Sequence, residues 1–556
     1  MLKIKLSAND LINTYFGLLC ILIVSFAIAG GIIHYSPVPY WDMWDDYYPA
    51  IDGDLSFWWS QHNEHRLLLT RFLCWVDIKC FGGLSIFLDV SSYVLACVST
   101  TILVKCLYEI TSDMKELKGR LAFAFFVVGW MFLWVQAENF TFGYNVQFFF
   151  AYLLPLGALY FMHKSTKAIH GTKPYFLIAC VFGALSFGAM ANGILTLPLL
   201  VLYAILFRQS LLRICILITL SLGMLWLFLY DYSSGSASLS AILSNPFGYM
   251  HFVFSYLGEP LAWGVHRIFS SKQLLISLGI LFVASFIFKV GCAFLRKNKS
   301  TLEASLLMFM FYVIVSAMLT GIGRMSFGVV PRYSTGSIMG WAALFVLLAP
   351  YVLLKIQRKG LRYLIPLGVL FFLMFWHQCH ALKNKQGRIF ERNLAGLALE
   401  LQIRDESTIS RIYPDLTWVL SVAKRRSDEK VSIFNAYPWV DDRKNLGKTL
   451  GYTVLDICEG SLENVMAISG ESQFLKISGW LYHAENENQP ELIHILNDQH
   501  KIVGYGLVGE PRKDVQKKIG QKAQYAGFQG YVLSGYQGQR VMLLGDHESC
   551  QLPITI

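Results

Sequence analysis

From the N-terminus to about residue 380 the chain alternates long apolar runs with short polar connections; beyond that point the pattern becomes that of a water-soluble protein. The apolar runs fall at about 13–34, 84–106, 121–137, 147–163, 174–190, 192–207, 213–231, 274–294, 303–322, 336–354 and 362–378. Several are shorter than the ~20 residues of a perpendicular span, which leaves their ends loosely defined. The pair on either side of Asn192-Gly193 reads either as two short helices or as one broken helix. From about 386 to 430, Ile389, Leu394, Leu397, Leu399 and Leu401 form an apolar stripe that predicts a helix. From about 460, the runs Phe474–Trp480, Leu492–Leu496, Ile502–Val508, Gly530–Leu533 and Val541–Leu544 alternate with turn residues and predict a compact β-sandwich.

The expected fold is therefore a polytopic α-helical membrane protein of about eleven spans, with a C-terminal extracytoplasmic α+β region. Its parts are a membrane domain (1–380) whose first outer loop runs over about 35–83, a helical connector (381–459), and a small β-sandwich-like domain (460–556). Composition agrees. Hydrophobic residues make up 55% of the chain and charged residues 15%, too few polar groups to cover the apolar surface in water.

Charge sets the orientation. The region from 381 onward holds 21 Lys and Arg against 21 Asp and Glu, so the net charge of +10 belongs to the membrane half. Its basic residues gather in alternate connections: Lys3 and Lys5; Lys105, Lys115, Lys118 and Arg120; Lys164, Lys167 and Lys173; Arg208 and Arg213; Arg296, Lys297 and Lys299; Lys355, Arg358, Lys359 and Arg362. The opposite connections carry Arg66, Arg71, Lys79, Arg267, Lys272, Arg324 and Arg332 over a greater length. The first set is cytoplasmic by the positive-inside rule. The N-terminus is then inside and the soluble tail outside, and the basic excess records topology, not nucleic-acid binding. The first apolar run, with Ala27-Ile28-Ala29 behind it, also fits a cleaved signal peptide; the next loop faces outward either way. The second long outer connection, about 232–273, opens with a Ser/Gly-rich stretch (Ser233 to Ser240) that reads as a flexible loop. None of the eleven cysteines has metal-type spacing. Cys458 and Cys550, both in the tail, are either a disulfide or two free thiols.

Ionisable groups concentrate in the first outer loop. Asp42, Asp45 and Asp46 stand at i, i+3 and i+4 and share one face if helical. His62, His65 and Arg66 repeat the spacing, with Asn63 and Glu64 between them. Trp41, Trp44, Trp58 and Trp59 flank both groups and would anchor short amphipathic helices at the membrane interface. Three readings apply: a solvated interfacial loop, a divalent-metal site that no HExxH-type spacing supports, and an acid/base site. In the last, clustered like charges raise the pKa of an aspartate that accepts a proton. Glu138-Asn139, with the aromatic segment to Gln147, mixes amides, a carboxylate and rings as sugar sites do, or is a helix cap with core aromatics. Gly323-Arg324 and Arg332-Tyr333 place two arginines at the outer membrane edge, where they bind a lipid phosphate bidentately or snorkel as anchors.

Together, Asp42 to Asp46, His62 to Arg66, Glu138-Asn139 with Gln147, and Gly323-Arg324 with Arg332-Tyr333 resemble the GT-C superfamily of membrane glycosyltransferases, which use polyprenyl-phosphate sugars. The closer resemblance is to bacterial GT-C-like proteins similar to enzymes that decorate O-antigen, lipopolysaccharide or other cell-envelope glycans. It implies a hexosyltransferase of the bacterial inner membrane, acting on an envelope glycan or lipid acceptor at the extracytoplasmic side. It implies an inverting displacement with Asp42, Asp45 or Asp46 as base. His62, Asn63, Glu64, His65, Arg66, Glu138, Asn139 and Gln147 would bind substrate, and Arg324, Arg332 and Tyr333 the donor phosphate. No cofactor is required, and a divalent metal is optional. The WWDYG-type sequence of oligosaccharyltransferases is absent, which disfavours transfer to protein Asn. The alternatives are a flippase for lipid-linked glycans, which would need midspan charges at broken helices, and a membrane scaffold whose sandwich binds glycan.

Overall fold

The computed structural model describes residues 7–53, 55–114, 118–167, 172–233, 239–263, 272–296, 299–383, 385–451, 457–483, 491–545 and 550–556. Lys3, Lys5, Lys115, Arg267, Lys297 and the middle of the Ser/Gly-rich stretch lie outside them. The chain packs as two units. The first comprises Met1–Ile32, Gly53–Leu73 and Leu88–Lys383, the second Ile33–Asp52, Cys74–Phe87 and Asn384–Ile556. The first outer loop is thus divided, its middle going with the membrane half and its ends with the tail.

Nine helical runs among the described residues are long and apolar enough to cross a bilayer, with two shorter ones at Thr172–Gly188 and Ala191–Leu206. Eight of the nine lie within the first unit, apart from Ile33, Ile86 and Phe87 at two of their ends, and the ninth, Leu361–Glu400, ends in the second. Gly143–Lys167 lies at the centre, with 89% of its apolar window buried, whereas only 11% of that of Leu211–Leu229 is buried. An apolar helix left bare requires a hydrocarbon surround. Ala8–Ile33 packs into the bundle, its Gly30 against Trp134 and Ala381. The chain around Asn192-Gly193 forms two short helices, Thr172–Leu185 and Thr196–Leu206, joined by two 3₁₀ turns. Gly193 is needed there, since a Cβ would lie 1.9 Å from the Ser186 carbonyl oxygen.

The connection at 232–273 is more than a loop. Pro246–Trp263 is a helix, and its apolar face is broken in sequence by Gly248, Gly258, Glu259 and Pro260, which hides its periodicity. It lies against Lys272–Leu295 with no side chain between. A Cβ at Gly258 would sit 2.0 Å from the Leu275 carbonyl oxygen, and one at Gly279 2.0 Å from that of Phe254. Polar tips of aromatic residues tie the bundle through neighbouring carbonyls: Trp130 Nε1 donates to Ile338 O, Trp341 Nε1 to Leu257 O (both 2.8 Å), and the Tyr312 hydroxyl to Ala151 O (2.7 Å). The hairpin β1 (Gln61–His62) and β2 (His65–Arg66) also belongs to this unit.

The second unit is built on one antiparallel sheet. Its strands are β3 (Glu459–Ala467), β4 (Phe474–Tyr482), β5 (Leu492–Leu496), β6 (Ile502–Glu510), β7 (Gly527–Leu533), β8 (Arg540–Gly545) and β9 (Gln551–Thr555), in the order 3-4-7-6-5-8-9. The edges meet: Ile457 bridges Gln551 in parallel, Cys458 N donates to Gln551 O at 2.8 Å, and Cys458 and Cys550 form a disulfide. The expected sandwich is therefore one sheet curled on itself, closed around Ile477, Ile493, Ile495, Phe528, Val532 and Leu543. A bond closing 92 residues stabilises by on the order of 4–5 kcal/mol in the chain-entropy picture, and it fits an oxidising compartment. Strands β3 and β9 escape sequence detection because both are edges. The first is largely exposed, and the second carries Pro553, which only an edge tolerates.

The amphipathic helix Gln386–Glu400 packs on β6, whose residues Ile502–Leu507 are consequently buried on both faces. It also brings in the first loop, with Gly396 against Val38 and Trp439. Beneath it, Glu400 (1% exposed) and Asp442 (4%) each have a buried carboxylate oxygen without a hydrogen-bond partner, as does the Tyr505 hydroxyl. Burial, then the charges of Glu400 and Asp441, push Asp442 up to about 8. Folded Asp442 therefore holds a proton that the unfolded chain releases above about pH 4.

Two outcomes are expected. Gly279→Val should lower stability by about 1–3 kcal/mol by forcing the paired helices apart, seen as a reduced thermal midpoint in detergent; an unchanged midpoint would contradict the contact. Stability should fall as pH rises from about 4 towards 8, and Asp442→Asn should flatten that limb of the pH–stability curve. A slope equal to that of the native protein would rule out a protonated Asp442.

Candidate functional site

Asp42 to Asp46 do form a helical turn (Met43–Asp46), in the second unit. Asp45 accepts a hydrogen bond of 2.6 Å from the Tyr413 hydroxyl, whose ionisation is opposed by burial and by that carboxylate. Asp46 is buried and Asp42 half-buried. The three aspartates thus sit in different environments on one turn. Trp44 is no interfacial anchor: it is fully buried, with Nε1 bonded to Pro39 O at 3.0 Å. Trp41 is exposed, while Trp59 spends its N–H on Leu227 O.

The segment from Gln61 to Arg66 is a β-hairpin rather than the expected amphipathic helix. Two strand residues on each side pair Gln61 with Arg66 and His62 with His65. Asn63 takes the left-handed conformation (φ 50°) at the tip, which Asn tolerates better than most residues. The i, i+3 spacing of the histidines therefore comes from cross-strand pairing. His62 lies near the Tyr144 ring (centroids 6.2 Å), and His65 Nδ1 accepts the Ala191 N–H at 3.2 Å, in the turn beside Asn192.

Arg66 has a different occupation from the substrate binding expected of it. It is 3% exposed, and its guanidinium donates to Phe228 O (3.1 and 3.3 Å), Tyr230 O (2.5 Å) and Trp59 O (2.6 Å). Phe228 and Tyr230 lie at the C-terminal end of Leu211–Leu229, where carbonyls lack intrahelical donors. Arg66 thus fastens the hairpin to that helix end.

Two ion pairs join the remaining candidates within the first unit. Arg324, closing the helix Thr301–Arg324, lies 3.4 Å from Glu64 at the hairpin tip, and Arg332 lies 3.4 Å from Glu138. All four are partly exposed, so each pair is weak and able to exchange partners. Tyr333 is buried, its ring stacked on Tyr256 (5.9 Å) with Phe148 and Phe252 at its edges, and the Arg332 guanidinium lies 5.9 Å from its centroid. Asn139 is fully buried and donates through Nδ2 to Arg332 O and Thr335 Oγ1, both at 2.8 Å. Its Oδ1 has no donor, nor has Oε1 of buried Gln147. Arg332 in an exchangeable ion pair beside the Asn139 amide offers groups suited to a ligand with both phosphate and hydroxyl groups.

One residue was not singled out from sequence. Glu259 is the sole acid of the helix Pro246–Trp263, and its Oε2 is buried without a donor. An acid in an otherwise uncharged apolar helix was the available signal, concealed by the reading of 232–273 as a loop.

No family model matches the sequence, and no curated protein matches it. Among solved structures, the chain is similar to the archaeal oligosaccharyltransferase AglB from Archaeoglobus fulgidus in complex with an inhibitory peptide and a dolichol-phosphate. The identity is 11% and the TM-score 0.41, over 80% of this chain and 62% of that one. It is also similar to the apo form of the Archaeoglobus fulgidus oligosaccharyltransferase, with 10% identity and a TM-score of 0.34, over 82% of this chain and 62% of that one. The chain therefore spans about 62% of the length of these structures.

Arg66→Ala should cost about 2–4 kcal/mol by leaving buried carbonyls without donors, and Arg66→Lys should recover little of it for lack of the guanidinium fork. Thermal unfolding in detergent measures both; a Lys variant as stable as the native protein would contradict the clamp.

Proposed function

We propose that this protein is a membrane glycosyltransferase that moves a hexose from a polyprenyl-phosphate donor to a cell-envelope glycan or lipid acceptor, on the extracytoplasmic side of a bacterial inner membrane. The observation that carries the proposal is the pairing of Arg332 with Glu138 beside Asn139, whose Oδ1 has no donor, together with the like pairing of Arg324 with Glu64. The donor's phosphodiester competes for an arginine held by a single carboxylate at 3.4 Å, because its two non-bridging oxygens accept from the guanidinium and its charge rises as it departs as a monoester. The amide oxygen then takes a sugar hydroxyl. The leaving phosphate needs no strong general acid, since the two guanidiniums stabilise its charge as the anomeric bond breaks. Attack from the opposite face inverts the anomeric centre. His62 and His65 are proposed to orient the substrate from the hairpin.

Binding of polyprenyl phosphate to the purified protein tests the proposal. Arg324→Ala and Arg332→Ala should each weaken it by about 10- to 100-fold, the range of one charge-assisted hydrogen bond, with little change in thermal midpoint. Unaltered affinity in both variants would remove the arginines from the donor site. Translocation of a lipid-linked sugar without transfer would point to a flippase instead.

A further inference from the structure

The helix Pro246–Trp263 brings one carboxylate to the Arg332 end of the bundle. Tyr256 stacks on Tyr333 with ring planes 20° apart, and its hydroxyl is 2.6 Å from that of Tyr152, so this face of the helix is turned to the chain that carries Arg332. Glu259 follows three residues later, on the same face, and Glu138 lies within its electrostatic reach. The two carboxylates differ in one respect. Glu138 is held by Arg332, whereas the buried Oε2 of Glu259 receives no hydrogen bond. Asn139, fully buried and without a donor at Oδ1, holds the Arg332 carbonyl through its Nδ2. A buried carboxylate oxygen with no donor is costly unless something donates to it, and a hydroxyl is the neutral group that does so.

We propose that Glu259 is the general base of the transfer; this rests on the glycosyltransferase reading. The acceptor hydroxyl donates to Glu259 Oε2 and gives up its proton there. The hydroxyl oxygen forms the new bond to the anomeric carbon. The bond from that carbon to the phosphate oxygen breaks, and its electron pair leaves with the polyprenyl phosphate at Arg324 and Arg332. Glu138, which Arg332 releases as it turns to the phosphate, accepts from a further hydroxyl.

Purified full-length protein in nanodiscs, given polyprenyl-phosphate-linked radiolabelled hexoses with envelope glycan, or with water alone as acceptor, tests this assignment. Glu259→Gln should bind polyprenyl phosphate within twofold of the native protein, while transfer and donor hydrolysis fall by about 10²- to 10⁴-fold. The acid limb of the pH–rate profile should disappear in Glu259→Gln, and Glu259→Asp should restore part of the rate. Transfer by Glu259→Gln within threefold of native would overturn the role. So would a rate loss found only in Asp42→Asn, or equal losses of thermal midpoint, binding and rate in both Glu259 variants. If the native protein neither transfers nor hydrolyses any donor, the glycosyltransferase reading fails and the role of Glu259 falls with it.

Discussion

A bilayer offers no water to a polar group, so each buried donor or acceptor must find its partner inside the protein. That constraint organises the membrane half. The indole N–H groups of Trp130 and Trp341 and the hydroxyl of Tyr312 reach carbonyls on neighbouring helices. Arg66 closes the open end of Leu211–Leu229 with every side of its guanidinium. The backbones of Pro246–Trp263 and Lys272–Leu295 come together at Gly258 and Gly279, where only hydrogen fits. Other buried acceptors are left without a donor. Asn139, Gln147 and Glu259 retain acceptor oxygens without donors, and Arg324 and Arg332 are held only by exchangeable ion pairs. On the proposed function, such groups stay unmet until a hydroxylated, phosphorylated ligand arrives.

The same rule separates what was legible in the sequence from what was not. Long apolar runs announce themselves, because hydrocarbon solvates a whole helix whatever its neighbours; each expected span coincides with an apolar helix. Pro246–Trp263 broke the rule. Its glycines are explained by a partner helix and its Glu259 by the proposed site, neither of which a window of composition contains. In the tail, β4 to β8 show alternation or β-branched runs, since a core covers them. The edges β3 and β9 have too little burial to be marked by hydrophobicity, and the disulfide that joins them became decidable only when the curled sheet brought Cys458 and Cys550 together.

Candidate residues were legible as types and positions but not as roles. Equal i, i+3 spacing describes both Asp42–Asp45 and His62–His65, yet the first pair lies on a helical turn and the second faces across a hairpin. A helical period of 3.6 and a two-residue reversal place the same sequence offset side by side, and only the left-handed Asn63 distinguishes them. Arg66 and Arg324 are likewise indistinguishable as outer-side arginines. One is spent on backbone carbonyls, which are fixed partners that cannot leave; the other faces a carboxylate that can.

That difference in partner is the physical basis for the proposed function. A guanidinium buried among carbonyls cannot turn to a ligand without stranding them, at a cost of about 1–3 kcal/mol for each. One half-exposed beside a glutamate exchanges one anion for another, and the displaced carboxylate becomes available to donors. Donor-phosphate binding at Arg332 would free Glu138 at the moment sugar hydroxyls reach it, so occupancy by the donor completes the hydrogen-bonding surface for the sugar. A site arranged this way favours a ligand carrying both groups over phosphate or sugar alone, since neither by itself satisfies the guanidiniums and the donor-less oxygens together.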